Sequence, residues 1–190
     1  MIEEAAKSAI EVGKQAPDVA LPADGGSPVH LSTLWRSANR GLVLVFLRHF
    51  GCLFCKQEAK RLAHDHPRFM DAGLSVVAIG VGTPARAAKF VRDYDLPFPV
   101  FGDWDLDSYR AFGLGRASVS GFFNPAVYRA GLGAILGGNL PGPPTGDTAQ
   151  LPGAFVIDPS GIVRFAHIGA HPGDNPTTDE LLAAMGGEDL

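Results

Sequence analysis

The sequence contains only two cysteines and no long apolar run, and these two shortages narrow the class of protein. No stretch reaches the roughly 18 apolar residues that a membrane-spanning helix requires. The first 16 residues lack the basic and apolar regions of a secretory signal. We therefore expect a cytoplasmic protein with no membrane partner. In that reducing compartment, Cys52 and Cys55 are expected to be redox-active or metal-binding rather than a structural disulfide.

Runs of like charge are also absent. The chain has 16 Lys and Arg against 20 Asp and Glu, a formal net charge of −4, so it lacks the basic surface that electrostatic binding of nucleic acid requires. An apolar fraction of 46% with only 19% charged residues excludes a disordered chain and supports a hydrophobic core. A chain of 190 residues predicts a single domain over residues 1–190.

Apolar strands alternate with helical patterns along the chain. The continuous apolar runs 41–47 and 74–81 are typical of strands covered on both faces, and Thr83-Pro84 is typical of a helix start. This alternation predicts a layered α/β fold with a mainly parallel inner sheet. In chain order, we predict helix 2–12, short strands 16–21 and 29–31, a short helix after Ser32, strand 41–47, a helix that Pro67 ends or kinks, strand 74–81, helix 84–94, strand 97–101, helix 105–112, a hairpin of strands 154–157 and 162–168, and helix 177–185.

Glycine and proline concentrate in one region of the chain. Residues 121–153 contain 8 Gly and 5 Pro, which predicts an insertion or long loop at about 117–148. The apolar residues of this region could pack on the same domain, contact a second copy in a homodimer, or bind a partner. They are Phe122, Phe123, Leu132, Ile135 and Leu136.

The Cys-x-x-Cys motif of Cys52 and Cys55 follows the first long apolar run and opens the next helix. Free backbone N–H groups and the helix dipole lower the pKa of a thiol at a helix start, and the thiolate is the reactive form. Cys52 is expected at this start, close to Arg48 and His49, whereas Cys55 falls on the apolar face of the helix. We therefore predict Cys52 as the nucleophile and Cys55 as the resolving thiol.

Two other interpretations of the cysteine pair stay open. The cysteines could be buried and inert, or they could bind zinc together with His49, His64 or His66. Zinc is disfavoured because the spacing does not match that of a zinc finger, and because His64 and His66 do not share a helix face. We therefore favour a redox pair with no metal and no other cofactor. His49 either moves protons near pH 7 or points away from the motif.

Three segments resemble one known family. Arg48-His-Phe-Gly-Cys-Leu-Phe-Cys-Lys56 is similar to the Arg-x-Phe-Gly-Cys-x-x-Cys-Arg signature of peroxiredoxin-like proteins in the AhpC/TSA antioxidant group, which includes the selenoprotein U and prostamide/prostaglandin F synthase branch. Residues 109–116 resemble that family's Tyr-x-x-Phe-Gly-Leu segment, and residues 146–157 resemble its Gly-Asp-x-x-Gln-x-Gly-Gly-x-Phe strand. The resemblance covers roughly residues 13–185 and leaves 117–145 unmatched.

The resemblance implies a thioredoxin-like fold, with a central mixed sheet, helices on both faces and the Gly/Pro-rich insertion. In that fold a cis-proline faces the Cys-x-x-Cys motif, and Leu151-Pro152 corresponds to it; a trans-proline at a strand start is the alternative. Arg116 could stabilise a thiolate or be solvated. The Pro-x-x-x-Thr-x-x-Cys pocket of true peroxiredoxins is missing, whichever of the two cysteines is aligned with it.

Together these features predict a thiol–disulfide oxidoreductase or a thiol-dependent, peroxidase-like antioxidant enzyme. Its substrate would be a peroxide or a disulfide, and an external thiol donor such as a thioredoxin-type reductant would restore the cysteine pair. The alternative is a redox-sensing or interaction module, in which the pair switches binding of a partner by the loop at 121–153. No residue identifies a lipid pocket, so the prostaglandin activity of the branch is not expected here.

Overall fold

The long apolar runs form the middle of a five-stranded sheet in the computed structural model, which describes residues 10–116 and 148–185. The strands are β3 (Gly41–His49), β4 (Leu74–Val81), β5 (Val100–Gly102), β6 (Gly153–Ile157) and β7 (Val163–Ile168). Their spatial order is β5-β4-β3-β6-β7. The pairs β3–β4 and β4–β5 are parallel, whereas β3–β6 and β6–β7 are antiparallel. The mixed α/β sheet is therefore confirmed: the three strands that alternate with helices pair in parallel, and the predicted hairpin β6–β7 adds the antiparallel part.

Helices cover both faces of this sheet. They are α1 (Leu31–Ser37), α2 (Leu53–Asp71), α3 (Pro84–Tyr94), α4 (Asp107–Ala111) and α5 (Thr178–Ala183). Alternate residues of β3 point to opposite faces. Val43, Val45 and Leu47 share a core with α2, α3 and α5, whereas the core on the other face contains Leu44 and Phe46 together with α1 and α4. β3 is buried on both faces because its residues from Leu42 to Leu47 contribute alternately to these two cores.

Some predicted boundaries are confirmed and others shift. The Thr83 side chain caps α3, with Pro84 at its first position, and Thr177 forms a capping box at the start of α5. α2 continues through Pro67 to Asp71, so Pro67 does not end the helix. Burial accounts for this continuation, because Phe69 beyond the proline is fully buried.

The peripheral strands are shorter than predicted. A small hairpin of β1 (Ala20–Leu21) and β2 (Val29–His30) precedes α1, and β5 begins only at Val100. The predicted helix at 2–12 and the insertion at 117–148 lie largely outside the described residues, and so do the apolar residues of that insertion. Within the described ranges, no helix is long and apolar enough to cross a membrane.

Candidate active site

Chain segments from neighbouring strands meet at one edge of the sheet. β3 ends at His49, and a short turn leads to Cys52, which is the N-cap residue of α2. β6 runs antiparallel to β3, with Gly153 opposite Phe46, so β6 begins at the edge where β3 ends. This pairing brings the residues just before Gly153 beside the cysteine motif.

The two cysteines are free thiols that are nearly buried. Cys52 is 6% exposed and Cys55 is 3% exposed. The backbone N–H of Arg48 donates to Cys55 Sγ at 3.1 Å, and the backbone N–H of Cys52 donates to the His49 carbonyl at 3.0 Å. The end of β3 and the start of α2 are thus joined through both cysteines.

Arg48 is the cation beside the motif, and it is 5% exposed. Its Nη1 donates to Cys52 Sγ at 3.4 Å, its Nε donates to the Gln150 carbonyl at 2.9 Å, and its Nη2 donates to the Thr148 carbonyl. A buried guanidinium requires such acceptors, because burying an unpaired charge costs several kcal/mol. The carbonyls before β6 therefore hold Arg48 against the Cys52 sulfur.

The two thiols differ strongly in acidity. A hydrogen bond from the Cys55 thiol is the largest cause that lowers the pKa of Cys52, to about 6; Arg48 and the N–H groups of Cys55 and Phe54 add to it, and burial opposes it. Burial is the main cause that raises the pKa of Cys55, and the neighbouring Cys52 raises it further. At pH 7 the pair is therefore a Cys52 thiolate next to a protonated Cys55.

His49 is buried at the end of β3, and its ring is surrounded by positive charge. Burial first, and then the charges of Arg48 and Lys56, lower its pKa to about 4. Its ring is therefore neutral at pH 7, and among the described residues its Nδ1 has no hydrogen-bond partner. A ring that is neutral at pH 7 has no imidazolium proton to donate but can accept one, so proton transfer by His49 stays a prediction.

The residues predicted to face the motif from the start of β6 lie close to it in the fold, but their backbone geometry and contacts differ from the prediction. The described residues contain no cis peptide bond, so the Leu151–Pro152 bond is trans and the cis-proline hypothesis is wrong. The backbone N–H of Leu151 donates to the Gly115 carbonyl at 3.1 Å, and the Pro152 carbonyl accepts from Gly169 at 2.9 Å. Arg116 is exposed and its backbone pairs with that of Gln150.

Sequence reasoning missed two buried polar groups near the motif. Gln150 is 2% exposed, and its side-chain amide donates to the carbonyl of Gly115 at 2.9 Å and to that of Leu151 at 3.3 Å. Glu58 lies one helical turn beyond Cys55 and is 5% exposed. Glu58 and Arg61 are three residues apart on a helix, a spacing that indicates an ion pair, but that spacing alone does not tell a buried pair from a solvated one.

Metal ligands do not cluster in the described part of the chain. No group of three or more His, Cys, Asp or Glu side chains there could hold a metal ion. The zinc alternative therefore has no ligand set among these residues.

A comparison with models of known protein families establishes the family of this chain. The sequence model of the AhpC/TSA family matches residues 12–166, which is more than half of the chain. The chain belongs to the AhpC/TSA family. This membership confirms the family resemblance that was carried by the segments at 48–56, 109–116 and 146–157.

Curated relatives of this AhpC/TSA protein include a thiol-disulfide oxidoreductase and a prostamide/prostaglandin F synthase. The thioredoxin-like protein AAED1 of Arabidopsis thaliana, a chloroplastic protein, is 34% identical over 100 residues that cover 53% of this chain and 39% of the relative. The thiol-disulfide oxidoreductase ResA of Bacillus subtilis is 31% identical over 124 residues, covering 64% and 66%. The chain thus spans less than two thirds of the length of these two relatives. The prostamide/prostaglandin F synthase of Danio rerio is 26% identical over 171 residues, covering 85% and 81%.

A solved structure of another protein has a fold similar to that of this chain. Peroxidoxin BcpB from Mycobacterium tuberculosis superposes with a TM-score of 0.70 at 20% sequence identity, covering 95% of this chain and 99% of that chain. This likeness confirms the predicted thioredoxin-like fold, and it carries no statement about the substrate.

Proposed function

We propose that this AhpC/TSA protein is a thiol–disulfide oxidoreductase in which Cys52 attacks and Cys55 resolves. The proposal rests on one observation: the pKa of Cys52 is lowered to about 6 while that of the adjacent Cys55 is raised. The thiolate is the form of cysteine that attacks a disulfide sulfur, and a protonated neighbour can then supply the proton that the leaving thiolate takes up. The family and the ResA relative support an oxidoreductase activity.

The protonation states of the two sulfurs determine the order of the reaction steps. The Cys52 thiolate attacks one sulfur of a substrate disulfide, so a Cys52–substrate disulfide forms and the second substrate sulfur leaves as a thiolate. Cys55 gives its proton to that leaving thiolate and then attacks Cys52 Sγ, which releases the first substrate sulfur. The protein ends as a Cys52–Cys55 disulfide after giving two electrons to the substrate. An external dithiol of the thioredoxin type returns two electrons and two protons.

Arg48 has two roles in this mechanism. Its Nη1 stabilises negative charge on Cys52 Sγ, both when Cys52 attacks and when Cys55 displaces it as a leaving group. Its Nε and Nη2 are held by the carbonyls of Gln150 and Thr148, so the guanidinium needs little reorganisation during the reaction. His49, Leu151, Pro152 and Arg116 have no assigned step.

Reduction of a peroxide by the same residues is a second candidate. The observation that favours it is the 6% exposure of Cys52, because a small oxidant reaches a nearly buried sulfur more easily than a protein disulfide does. Attack on the peroxide gives a Cys52 sulfenic acid and water, and Cys55 then displaces a second water to form the disulfide. The missing Pro and Thr of the peroxiredoxin pocket predict a slow first step.

A single experiment separates the two candidates. Reduced protein is mixed at pH 7 with a small excess of a low-molecular-weight disulfide or of hydrogen peroxide, and the intact mass is followed with time. Loss of about two mass units indicates the Cys52–Cys55 disulfide. A faster loss with the disulfide supports the oxidoreductase, and a faster loss with peroxide supports the second candidate. Oxidation no faster than that of a free thiol with both reagents contradicts both.

Other aspects stay predictions. They are the single domain over residues 1–190, a cytoplasmic location with an antioxidant role, a homodimer, and partner binding through the loop at 121–153. The redox-sensing alternative depends on that loop, most of which lies outside the described residues. Deleting the loop tests it, because catalysis would survive the deletion whereas partner binding would not.

A further inference from the structure

A cavity of about 520 Å³ lies along α2 and reaches Phe54 of the cysteine motif, but neither cysteine lines it. One wall is α2, from Phe54 between the two cysteines to Arg68; the other is segment 173–179, which leads into α5. With a rise of about 1.5 Å per residue, the α2 wall is roughly 21 Å long. That length exceeds the size of a small disulfide and matches about six residues of extended peptide.

The positive charges of this cavity are already paired. Arg61 contacts both carboxylate oxygens of Glu58, through Nη2 at 2.6 Å and Nε at 3.0 Å, and it donates to the Pro176 carbonyl at 3.0 Å. Arg68 pairs with Asp179 at 2.6 Å. An anionic ligand would therefore have to displace a carboxylate from its guanidinium.

A third carboxylate, that of Asp65, gives the cavity a surplus of negative charge. Its Oδ2 accepts from the Thr178 hydroxyl at 2.5 Å, and within the described ranges no Lys, Arg or His forms an ion pair with it. Burial raises the pKa of Glu58, Arg61 opposes this shift, and the Asp65 charge adds to it. The lining thus contains three carboxylates and two guanidinium groups, and the carboxylate without an ion pair lies toward the end far from Cys52.

The geometry points to this cavity as the docking groove for an extended segment of a disulfide-bearing protein substrate, with a basic side chain of that segment contacting Asp65. The inference rests on the proposed function, because it names the substrate class of the same Cys52 site. Cys52 and Asp65 are 13 residues apart, or about 20 Å along α2. A lysine side chain covers part of this distance, so a lysine about four residues from the substrate cysteine reaches Asp65.

The test uses the reduced full-length protein and three synthetic peptides. Each peptide has one cysteine, joined as a disulfide to thionitrobenzoate, and four residues away it has lysine, glutamine or glutamate. Attack by the Cys52 thiolate on the peptide sulfur forms the Cys52–peptide disulfide and expels the coloured thionitrobenzoate anion. Each rate constant is divided by that of 2-mercaptoethanol with the same peptide, which removes the peptides' intrinsic differences in reactivity.

We expect the lysine peptide to react three- to fivefold faster than the glutamine peptide, the range for one partly exposed ion pair, and the glutamate peptide to be slowest. Asp65→Asn removes the charge while its amide oxygen still accepts from Thr178, so the lysine preference should disappear. Asp93→Asn is the matched control: it makes the same charge change in an exposed pair with Lys89 on α3, and the preference should persist.

A second variant keeps the test decisive if Asp65→Asn fails to fold. Gln57 is exposed and lines the cavity near its cysteine end, so Gln57→Lys adds a positive charge without disturbing the core. This variant should remove the preference for lysine over glutamate, because the added cation brings the lining to three carboxylates and three cations. Equal normalised rates for the three peptides, or a lysine preference that Asp65→Asn leaves intact, would overturn the inference alone. Release of thionitrobenzoate no faster than with a free thiol would contradict the proposed function as well.

Discussion

Cys52 and Glu58 are six residues apart at the start of α2, and both are nearly buried, yet their pKa values move in opposite directions. The pKa of Cys52 falls to about 6, whereas that of Glu58 rises. Burial favours the neutral form of both groups. The difference lies in their partners: Cys52 is contacted by a thiol, a guanidinium and two backbone N–H groups, whereas Glu58 has one guanidinium and a repelling carboxylate, Asp65.

The α2 helix therefore provides two different electrostatic environments along its length. Its first turn supplies free N–H groups and the positive end of the helix dipole, which stabilise a thiolate. Further along, the N–H groups are used within the helix, so a buried carboxylate depends on a side-chain cation. The first environment suits a nucleophile and the second suits the recognition of a cationic group.

Replacing either cysteine should have the largest effect. Cys52→Ser should abolish the reaction with disulfides, because serine supplies no thiolate. Cys55→Ser should keep the first step and accumulate a Cys52–substrate mixed disulfide, which intact mass detects as an added substrate half. Mixed disulfide at Cys55 of the Cys52→Ser variant would instead show that the roles are exchanged.

Breaking the Glu58–Arg61 pair should have the next largest effect. Arg61→Met leaves the Glu58 carboxylate buried without a cation, so we expect the free energy of unfolding to fall by about 3 kcal/mol at pH 7. The loss is measured by urea denaturation. Because the folded-state pKa of Glu58 is raised, the folded protein binds this proton more readily than the unfolded chain, and the loss should shrink as the pH falls toward 4.5.

Two variants control this result. Adding Glu58→Gln to Arg61→Met should restore much of the stability, because no buried charge remains. Lys89→Met, which breaks the exposed pair with Asp93, should cost less than about 1 kcal/mol. Equal losses in Arg61→Met and Lys89→Met would show that the Glu58 pair is solvated.

Removing Arg48 should weaken the stabilisation of the Cys52 thiolate. Loss of an adjacent positive charge shifts a pKa by about one to three units, so Arg48→Met should lower the thiolate fraction at pH 7 roughly tenfold. The rate of Cys52 alkylation at pH 7 measures this fraction. Arg48→Lys keeps the charge without the forked contacts and should give an intermediate rate; an unchanged rate in Arg48→Met would remove Arg48 from the mechanism.

Gln150→Ala should have the smallest effect of the four. The change removes the amide that holds the carbonyls of Gly115 and Leu151, so we expect a loss of about 1 kcal/mol in stability and a small rise in the pKa of Cys52. Thermal unfolding and pH-dependent alkylation measure the two changes. Gln57→Ala, at an exposed position, is the control and should change neither quantity; a pKa of Cys52 equal to that of the native protein would limit Gln150 to a structural role.

The local signals of the sequence were sufficient for the central strand β3 and for the position of Cys52 at the start of α2. The apolar run in β3 predicted a strand buried on both faces, and Thr83-Pro84 predicted the start of α3 to the residue. The position of Cys52 at a helix start predicted the more acidic thiol, because that effect is local in the chain.

Long-range contacts account for what the sequence did not predict. Arg48 meets Gln150 across about 100 positions of the chain, and no spacing rule gives that contact. The residues next to His49 in the sequence do not indicate whether its side chain is buried. In the fold it is buried, which lowers the pKa of His49 and leaves the ring neutral at pH 7. Glu58 and Arg61 are spaced as neighbours on a helix. Arg61 also donates to the Pro176 carbonyl, 115 positions further along the chain, and no local pattern predicts that contact.

The most direct test of the account is the pH dependence of alkylation at each cysteine of the reduced protein. Native protein is treated briefly with iodoacetamide between pH 4 and 10, and peptide mapping separates the modification of Cys52 from that of Cys55. We predict a midpoint near pH 6 for Cys52 and no modification of Cys55 until well above pH 9. Midpoints near pH 9 for both cysteines would contradict the assignment of Cys52 as the nucleophile.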